Sequence, residues 1–230
     1  MKVLITGASE GIGKAIALEL AKKGHELLLL ARNTEKLNLV KDMCAKEGAL
    51  SASVFSVDLR DSQQISDFCQ QLKELDGVIN NAGIWQKKSP LDEIPESELL
   101  NVIATNLTGL ISLTQKVLPL LRKSQNGFVV NISSRSGYAA QAGQSVYSAT
   151  KYGVRGFTEV LREDLLDSGI RVAGIYQGGT NTQMFNKAGE NFAEEKLATF
   201  IPTEELAKVV SFLIERPKGV WLPEIKVENK

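Results

Sequence analysis

Histidine and cysteine are scarce in this 230-residue chain, which contains one histidine and two cysteines. Cys44 and Cys69 lie far apart in the sequence and show no Cys-x-x-Cys spacing. Structural zinc sites draw four ligands, mostly cysteine and histidine, from short sequence spacings. We therefore expect neither a metal site nor a disulfide bond.

The chain also lacks an excess of charge of either sign and lacks long apolar runs. Its 27 Lys and Arg residues balance 27 Asp and Glu residues, so we expect no nucleic-acid partner. No stretch approaches the roughly 18 apolar residues of a membrane span, and the first apolar run is too short for a signal peptide. We expect a cytoplasmic protein without a membrane partner.

Short apolar stretches alternate with helical patterns along almost the whole chain. The predicted strands are residues 2–6, 26–31, 51–57, 76–80, 127–133 and 170–176, with a weaker seventh in EIKVEN near the C-terminus. The predicted helices lie near residues 12–23, 34–47, 62–74, 96–122, 147–167 and 203–215. Such alternation is typical of parallel strands joined by crossover helices. It predicts one α/β domain over residues 1–230, a doubly wound Rossmann-type parallel sheet with helices on both faces.

The first predicted strand runs directly into TGASEGIG, residues 6–13, where Gly7, Gly11 and Gly13 precede a helical pattern. A strand that turns sharply into a helix leaves backbone N–H groups unpaired at the positive end of the helix dipole. Such a turn attracts an anion such as a phosphate. The alternative is that the glycines mark only a tight turn with close helix packing.

The end of the second predicted strand bears on which nucleotide this turn could hold. About 20 residues after a glycine turn, an acidic residue typically binds a free ribose 2′-hydroxyl. Here the sequence has Ala31 and Arg32, with the neutral donors Asn33 and Thr34 beside them. Arginine suits a 2′-phosphate through charged hydrogen bonds. The pattern favours NADP(H) over NAD(H), unless Arg32 is only a solvated surface charge.

Two later motifs follow predicted strands at the same edge of the sheet. Asn-Asn-Ala-Gly at 80–83 ends the fourth strand and could be a ligand contact or a capped loop. In YSATK, Tyr147 and Lys151 are four residues apart and share one helix face. A cation beside a phenol lowers the pKa of the phenol and makes it a usable acid. On most helices, however, such a pair is ordinary surface decoration.

Together these motifs resemble those of the short-chain dehydrogenase/reductase family, with Tyr147 thirteen residues after Ser134. The resemblance implies that Tyr147 is the general acid/base, that Ser134 hydrogen-bonds the substrate oxygen, and that Lys151 binds the nicotinamide ribose. It also implies that Asn106 holds a water molecule of the proton relay and that Asp58 contacts the adenine amino group.

The same resemblance extends over roughly residues 1 to 182 and implies a broad set of cofactor contacts. These are Gly7, Ser9, Glu10, Gly11, Ile12, Gly13, Arg32, Asn33, Asp58, Leu59, Asn80, Asn81, Ala82, Gly83, Tyr147, Lys151, Gly178, Thr180 and Thr182. The chain departs from the family pattern at Gln177, where many relatives have proline, and at Glu10, where relatives that use NADP often have a basic residue. It also lacks the family's usual glycine-rich ending.

The resulting hypothesis is an NADP(H)-dependent oxidoreductase that reduces a carbonyl to an alcohol, reversibly. We expect a reductase of the carbonyl or 3-oxoacyl type, which acts on CH–OH groups. The alternatives are a nucleotide-sensing regulator without catalysis, an NAD-dependent alcohol dehydrogenase, and an epimerase or dehydratase, although 230 residues hardly allow the extra domain of the last class. We expect a small-molecule carbonyl or alcohol as partner and a homodimer or homotetramer.

Substrate contacts are expected where other segments follow strands at the ligand edge. Trp85, with Gln86 beside it, and residues 183–202 are predicted to form the mouth of the substrate site. The segment 183–202 is polar and mixed, which is consistent with a mobile substrate lid or an ordinary surface connection. Trp85 could instead be a core or subunit-contact residue.

Overall fold

A parallel β-sheet of seven strands lies at the centre of the computed structural model, which describes residues 1–229. The strands run in the spatial order β3-β2-β1-β4-β5-β6-β7. They are β1 Lys2–Thr6, β2 Glu26–Ala31, β3 Ser51–Ser56, β4 Gly77–Asn80, β5 Phe128–Ser134, β6 Arg171–Gln177 and β7 Glu224–Val227. The predicted doubly wound sheet is confirmed, including the weak seventh strand.

Helices cover both faces of this sheet. The longer ones are α1 Gly11–Lys22, α2 Thr34–Glu47, α3 Ser62–Gln71, α4 Glu96–Ile103, α5 Gly109–Leu121, α6 Ser145–Asp164 and α9 Thr203–Ile214. Two short helices, α7 Met184–Lys187 and α8 Glu194–Leu197, lie within residues 183–202. Single 3₁₀ turns occur at Leu91–Glu93, Arg135–Gly137 and Leu166–Ser168.

The predicted helix over 96–122 is not a uniform α-helix. A π-helical turn, Ala104–Thr108, joins α4 to α5 and contains Asn106. Single π turns inside helices occur frequently at functional sites because they shift one side chain relative to its neighbours. Here the shift lets both polar ends of the Asn106 amide reach the backbone of Ile84.

Apolar side chains form one buried layer on each side of the sheet. On one side, side chains such as Ile16, Leu37 and Val210 from α1, α2 and α9 pack against β1 and β2. On the other side, side chains of α3, α5 and α6 pack against the opposite faces of the same strands. Strands covered on both faces explain why the sequence runs KVLIT and ELLLLA are apolar without alternation.

The strand order reverses between β1 and β4, which are neighbours in the sheet although β2 and β3 intervene in sequence. Connections leave β1 and β4 toward opposite faces at such a point, which opens a crevice beyond the carboxyl ends of the strands. The glycine turn follows β1, and Asn-Asn-Ala-Gly follows β4. The fold thus brings both motifs to the same crevice.

Candidate active site

The glycine turn is shaped by close backbone contacts. Gly7 and Gly11 have φ values of +65° and +54°, a region that other residues rarely adopt. A Cβ atom on Gly13 would lie 2.3 Å from the carbonyl oxygen of Gly7. Helix α1 begins at Gly11 without a side-chain cap, so its first N–H groups remain available to an anion.

The segment after β4 holds this turn in place. The Asn81 side-chain amide donates to the carbonyl of Thr6 at 2.9 Å, and the Thr6 hydroxyl accepts from the backbone N–H groups of Asn81 and Ala82 at 3.0 and 2.9 Å. A side chain on Gly7 would meet the Cα of Ala82 at 2.9 Å. The two motifs therefore form one rigid unit.

A single cavity of about 1200 Å³ extends from the glycine turn to the start of α6. Most of the residues predicted from the sequence line it. They are Gly7, Ser9, Glu10, Gly11, Ile12, Arg32, Asn33, Asp58, Leu59, Asn81, Ala82, Gly83, Trp85, Ser134, Tyr147, Lys151, Gly178, Thr180 and Thr182.

The cavity wall does not include Gly13, Asn80 or Asn106, which were also predicted as site residues. Gly13 is where α1 packs on the turn. Asn80 is buried and donates to Thr114 Oγ1 at 2.9 Å and to Asn131 Oδ1 at 2.8 Å, so it ties β4 to α5 and β5. Asn106 is buried and binds the backbone N–H and carbonyl of Ile84 at 2.7 and 2.9 Å. The direct role predicted for Asn80 is thus replaced by a structural one.

Tyr147 and Lys151 lie together on the first turns of α6, at the inner end of the cavity. Both side chains are buried, and the Lys151 ammonium lies 5.6 Å from the centre of the Tyr147 ring. The ammonium also donates to the carbonyl of Ile132 at 3.4 Å. Ser134 ends β5 beside them, and its hydroxyl accepts the backbone N–H of Ser136 at 3.1 Å.

Burial governs the ionisation of both groups. Desolvation raises the pKa of Tyr147 to about 12, although a hydrogen bond with Ser134 acts in the opposite direction. Desolvation also lowers the pKa of Lys151 to about 8. The predicted lowering of the Tyr147 pKa is therefore wrong for this arrangement, because burial of the phenol dominates and the ammonium lies over the ring, 5.6 Å from its centre. At neutral pH the phenol carries its proton and the amine is mostly charged.

Hydrogen bonds extend from the segment that directly follows Ser134. The Ser136 hydroxyl donates to Gln144 Oε1 at 2.8 Å, and Gln144 Nε2 donates to Gln141 Oε1 at 2.8 Å. Ser136 and Gln144 are both buried. This chain of hydrogen bonds joins the end of β5 to the start of α6, so Ser134 and Tyr147 are held at a fixed separation. Gln144 belongs to none of the motifs found in the sequence.

The outer end of the cavity is bordered by β2, α2 and the loop after β3. Arg32 is exposed, lines the cavity and pairs with no carboxylate among residues 1–229. Asp58 is bound by Arg60, whose Nε lies 2.9 Å from Asp58 Oδ1. The hydrogen bond from Arg60 holds the pKa of Asp58 below its usual value. A contact from Asp58 to an adenine amino group would therefore share the carboxylate with Arg60.

Glu10 lies between two lysines in the structure. Its carboxylate accepts from Lys36 of α2 at 2.8 Å and from Lys187 of α7. Burial alone would raise the pKa of Glu10, but its hydrogen bonds with Lys187 and Lys36 outweigh this effect and lower it. The acidic side chain that departs from the family pattern is thus neutralised by two cations, one of which comes from the segment 183–202.

Trp85 and Gln86 are neighbours in sequence but occupy different environments. Trp85 is half-buried, lines the cavity and donates from Nε1 to Glu190 Oε2 at 2.7 Å. Gln86 is fully buried, and its side-chain amide donates to the carbonyls of Lys87 and Gly143. The prediction that Gln86 lies at the mouth of the site is wrong, because its side chain is buried and its Nε2 donates to the carbonyls of two loop residues instead.

Residues 183–202 line part of the cavity and contribute several side chains that were not predicted individually from the sequence. Phe185, Phe192 and Phe200 are the apolar members of this group. The segment is anchored where Ile201 pairs with Thr180 and its N–H donates to the carbonyl of Gly179 at 2.8 Å. The three phenylalanines are seven and eight residues apart in a segment that is otherwise polar and mixed, so the main signal that could have indicated them is the position of the segment after β6.

Comparison with known proteins agrees with this geometry. Residues 1–193 match the family of short chain dehydrogenases, and the chain belongs to this family of oxidoreductases. It is 35% identical over 218 residues to a 3-oxoacyl-(acyl-carrier-protein) reductase of Thermotoga maritima, with 91% of this chain and 88% of the relative covered.

Two further similarities concern named reductases and dehydrogenases. The chain is 31% identical over 199 residues to an NADPH-dependent pterin aldehyde reductase of Arabidopsis thaliana, which covers 83% of this chain and 79% of that protein. A closed form of serine dehydrogenase complexed with NADP+ superposes with a TM-score of 0.91 at 28% identity, over 99% and 94% of the two chains.

No helix within residues 1–229 combines the length and the apolar character that crossing a membrane requires. The same residues contain no cluster of three or more His, Cys, Asp or Glu side chains placed to hold a metal ion.

Proposed function

We propose that this protein is an NADP(H)-dependent carbonyl reductase, reversible as an alcohol dehydrogenase, that acts on a small-molecule carbonyl or alcohol. The observation that carries the proposal is the shared cavity, in which the glycine turn and Arg32 lie at one end and Ser134, Tyr147 and Lys151 at the other. The cradle of Gly7, Gly11 and the uncapped N-terminus of α1 fits a pyrophosphate. Bound there, the nicotinamide cofactor supplies the hydride.

In the proposed reaction, Tyr147 gives its proton to the oxygen of the reduced carbonyl. Its raised pKa keeps the phenol protonated at neutral pH until substrate is bound. The Ser134 hydroxyl donates a hydrogen bond to the same oxygen as negative charge develops on it. The Lys151 ammonium, 5.6 Å from the ring centre, stabilises the phenolate that remains. Asn106 is proposed to hold a relay water beside them.

The preference for NADP(H) is supported by the charges at the outer end of the cavity. Arg32, with the donors of Asn33 beside it, offers a site for a 2′-phosphate, whereas the nearby Lys36 is held by the carboxylate of Glu10. The similarity to an NADPH-dependent reductase and to a dehydrogenase bound to NADP+ agrees with this assignment.

The remaining proposals concern organisation. We propose that residues 1–230 form one domain, that 183–202 is its substrate lid, and that the protein acts in the cytoplasm as a homodimer or homotetramer. Exposed apolar side chains on α5 and α6, including Ile111, Tyr152 and Val160, support association between copies.

The test of the proposed function is the loss of NADPH absorbance with a panel of ketones, aldehydes, acyl thioesters, sugars and steroids. We expect NADPH to be consumed with at least one of these compound classes and not to be consumed when no carbonyl compound is added. Tight NADPH binding without turnover of any probe would contradict the enzymatic proposal and favour a nucleotide-sensing regulator.

Replacing Lys151 by methionine removes the charge and keeps the volume of the buried stem. We expect NADPH to bind about tenfold more weakly, because a charged hydrogen bond is lost, and kcat to fall as well. Fluorescence titration with NADPH and steady-state kinetics measure the two effects. An unchanged NADPH affinity would remove the ribose-binding role from Lys151.

Replacing Glu10 by glutamine releases Lys36 and Lys187 from their shared carboxylate. We expect NADPH to bind about two- to fivefold more tightly, because both cations become available to the phosphates and exposed ion pairs contribute little themselves. The matched control is Glu35→Gln, an exposed acidic residue in the first turn of α2. Weaker NADPH binding in Glu10→Gln would show that the bridge to Lys187 stabilises the cofactor site instead.

A further inference from the structure

Aromatic side chains are concentrated around the inner end of the cavity. The chain has only two tryptophans, four tyrosines and eight phenylalanines. Five of these side chains form one contiguous cluster that begins at the catalytic phenol and extends into the segment 183–202. We call this group the aromatic wall: Trp85, Tyr147, Phe185, Phe192 and Phe200.

The geometry of the aromatic wall is edge-to-face throughout its inner part. The Trp85 ring centre lies 4.5 Å from that of Tyr147 and 4.9 Å from that of Phe185. Phe192 lies 5.1 Å from Phe185 and 5.4 Å from Phe200. All five side chains line the cavity. Because Trp85 is so close to Tyr147, a carbonyl placed at the phenol has its substituent beside these rings.

The wall is held by specific contacts rather than by loose packing. Glu190 accepts the indole N–H of Trp85 at 2.7 Å, which fixes the plane of the indole. Phe200 is buried, and a Cβ on Gly179 would lie 3.0 Å from its ring, so the glycine leaves room for it. These contacts tie the segment 183–202 to both sides of the cavity.

We infer that the substrate is a carbonyl compound that carries a planar aromatic ring, and that the aromatic wall selects the ring over a flexible acyl chain. This inference rests on the proposed function for the carbonyl chemistry. Ring edges and faces attract each other through their opposite partial charges, in addition to apolar burial. A saturated or open-chain group gains the burial but not this attraction, so planarity is the property that the wall distinguishes.

The test compares phenylacetone with cyclohexylacetone, which carry the same unconjugated methyl ketone and differ in the ring. Burial alone would favour the cyclohexyl compound, because it has more apolar surface. We expect kcat/KM with NADPH to be about threefold to tenfold higher for phenylacetone than for cyclohexylacetone, since each aromatic pair contributes a modest gain. An acetoacetyl thioester serves as the aliphatic 3-oxoacyl probe and should be a poorer substrate than phenylacetone.

Two substitutions connect the preference to the wall. Phe185→Leu and Phe192→Leu, both in the segment 183–202, should bring the ratio of kcat/KM for phenylacetone to kcat/KM for cyclohexylacetone close to one. The matched control is Phe212→Leu, because Phe212 is 50% exposed on α9 and packs under Arg216 outside the cavity. Circular dichroism checks that each variant is folded. A ratio that stays unchanged in both wall variants would contradict the inference.

A binding measurement separates this inference from the proposed function. Trp221 lies outside the cavity wall, where it stacks on Arg171 and its indole N–H donates to the carbonyl of Val172. The substitution Trp221→Phe therefore leaves Trp85 as the sole tryptophan of the chain. We expect phenylacetone, added to the complex with NADP+, to change Trp85 fluorescence at lower concentration than cyclohexylacetone does.

Each outcome bears on one of the two statements. A stronger Trp85 response to the phenyl compound without any turnover would support the aromatic wall and contradict carbonyl reduction. Equal turnover of both ketones, or faster turnover of the thioester, would overturn the inference and leave carbonyl reduction standing. Absence of both turnover and Trp85 response would overturn the inference as well.

Discussion

Replacing Tyr147 by phenylalanine is expected to lower kcat by about 10²- to 10⁴-fold, the range associated with the loss of a general acid. The substitution removes only the hydroxyl, so the ring contact with Trp85 at 4.5 Å is retained. The phenol is buried, and the substitution removes the proton donor of the proposed reaction. NADPH binding, measured by fluorescence titration, should be nearly unchanged.

Tyr176→Phe is the matched control for this experiment. Tyr176 is a buried tyrosine at the end of β6 whose side chain lies outside the cavity wall. Its substitution should leave kcat within about twofold, because no proton transfer depends on it. Turnover by Tyr147→Phe at the wild-type rate would exclude Tyr147 as the proton donor and would require another acid in the cavity.

The second large effect concerns the cofactor. We expect the protein to prefer NADPH over NADH by about tenfold to a hundredfold in kcat/KM, because charged hydrogen bonds contribute about 1.5–3 kcal/mol. Arg32→Ala should remove most of this preference, since no carboxylate within residues 1–229 pairs with the guanidinium and it is available to a 2′-phosphate. Initial rates with the two cofactors at several concentrations give the ratio.

Arg135→Ala provides the control for this measurement. Arg135 is also an exposed arginine of the cavity wall, but it follows Ser134 at the inner end. Its loss should change rates with both cofactors alike and leave the NADPH-to-NADH ratio intact. Equal kcat/KM with both cofactors in the wild type, or the same ratio in Arg32→Ala, would show that Arg32 is a solvated charge.

Much of the fold could be predicted from the sequence because its signals are local. Apolar runs without alternation indicated buried parallel strands, and the first six observed strands agree with the predicted ones to within one residue at each end. The interruption of the helix over 96–122 could not be predicted, because the π turn at Ala104–Thr108 brings Asn106 to Ile84, a partner that is distant in sequence.

The candidate site was predictable to a similar extent. The glycine turn, Asn81, Ser134, Tyr147 and Lys151 follow strands or begin helices at one edge of the sheet, and the edge itself follows from the doubly wound topology. Residue type alone misled at two positions. Asn80 and Gln86 are polar residues at the ligand edge, yet both side chains are buried: Asn80 donates to the buried Thr114, and Gln86 donates to loop carbonyls.

By itself the sequence determined the parallel sheet, the position of the glycine turn and the pairing of Tyr147 with Lys151, because each depends on periodicity or on spacing within one element. Only the tertiary structure decided the rest. The neutralisation of Glu10 by Lys36 and Lys187, the raised pKa of Tyr147 and the aromatic wall all depend on side chains that are remote in sequence. Burial and charge are set by which remote groups meet, and that is established only when the chain is folded.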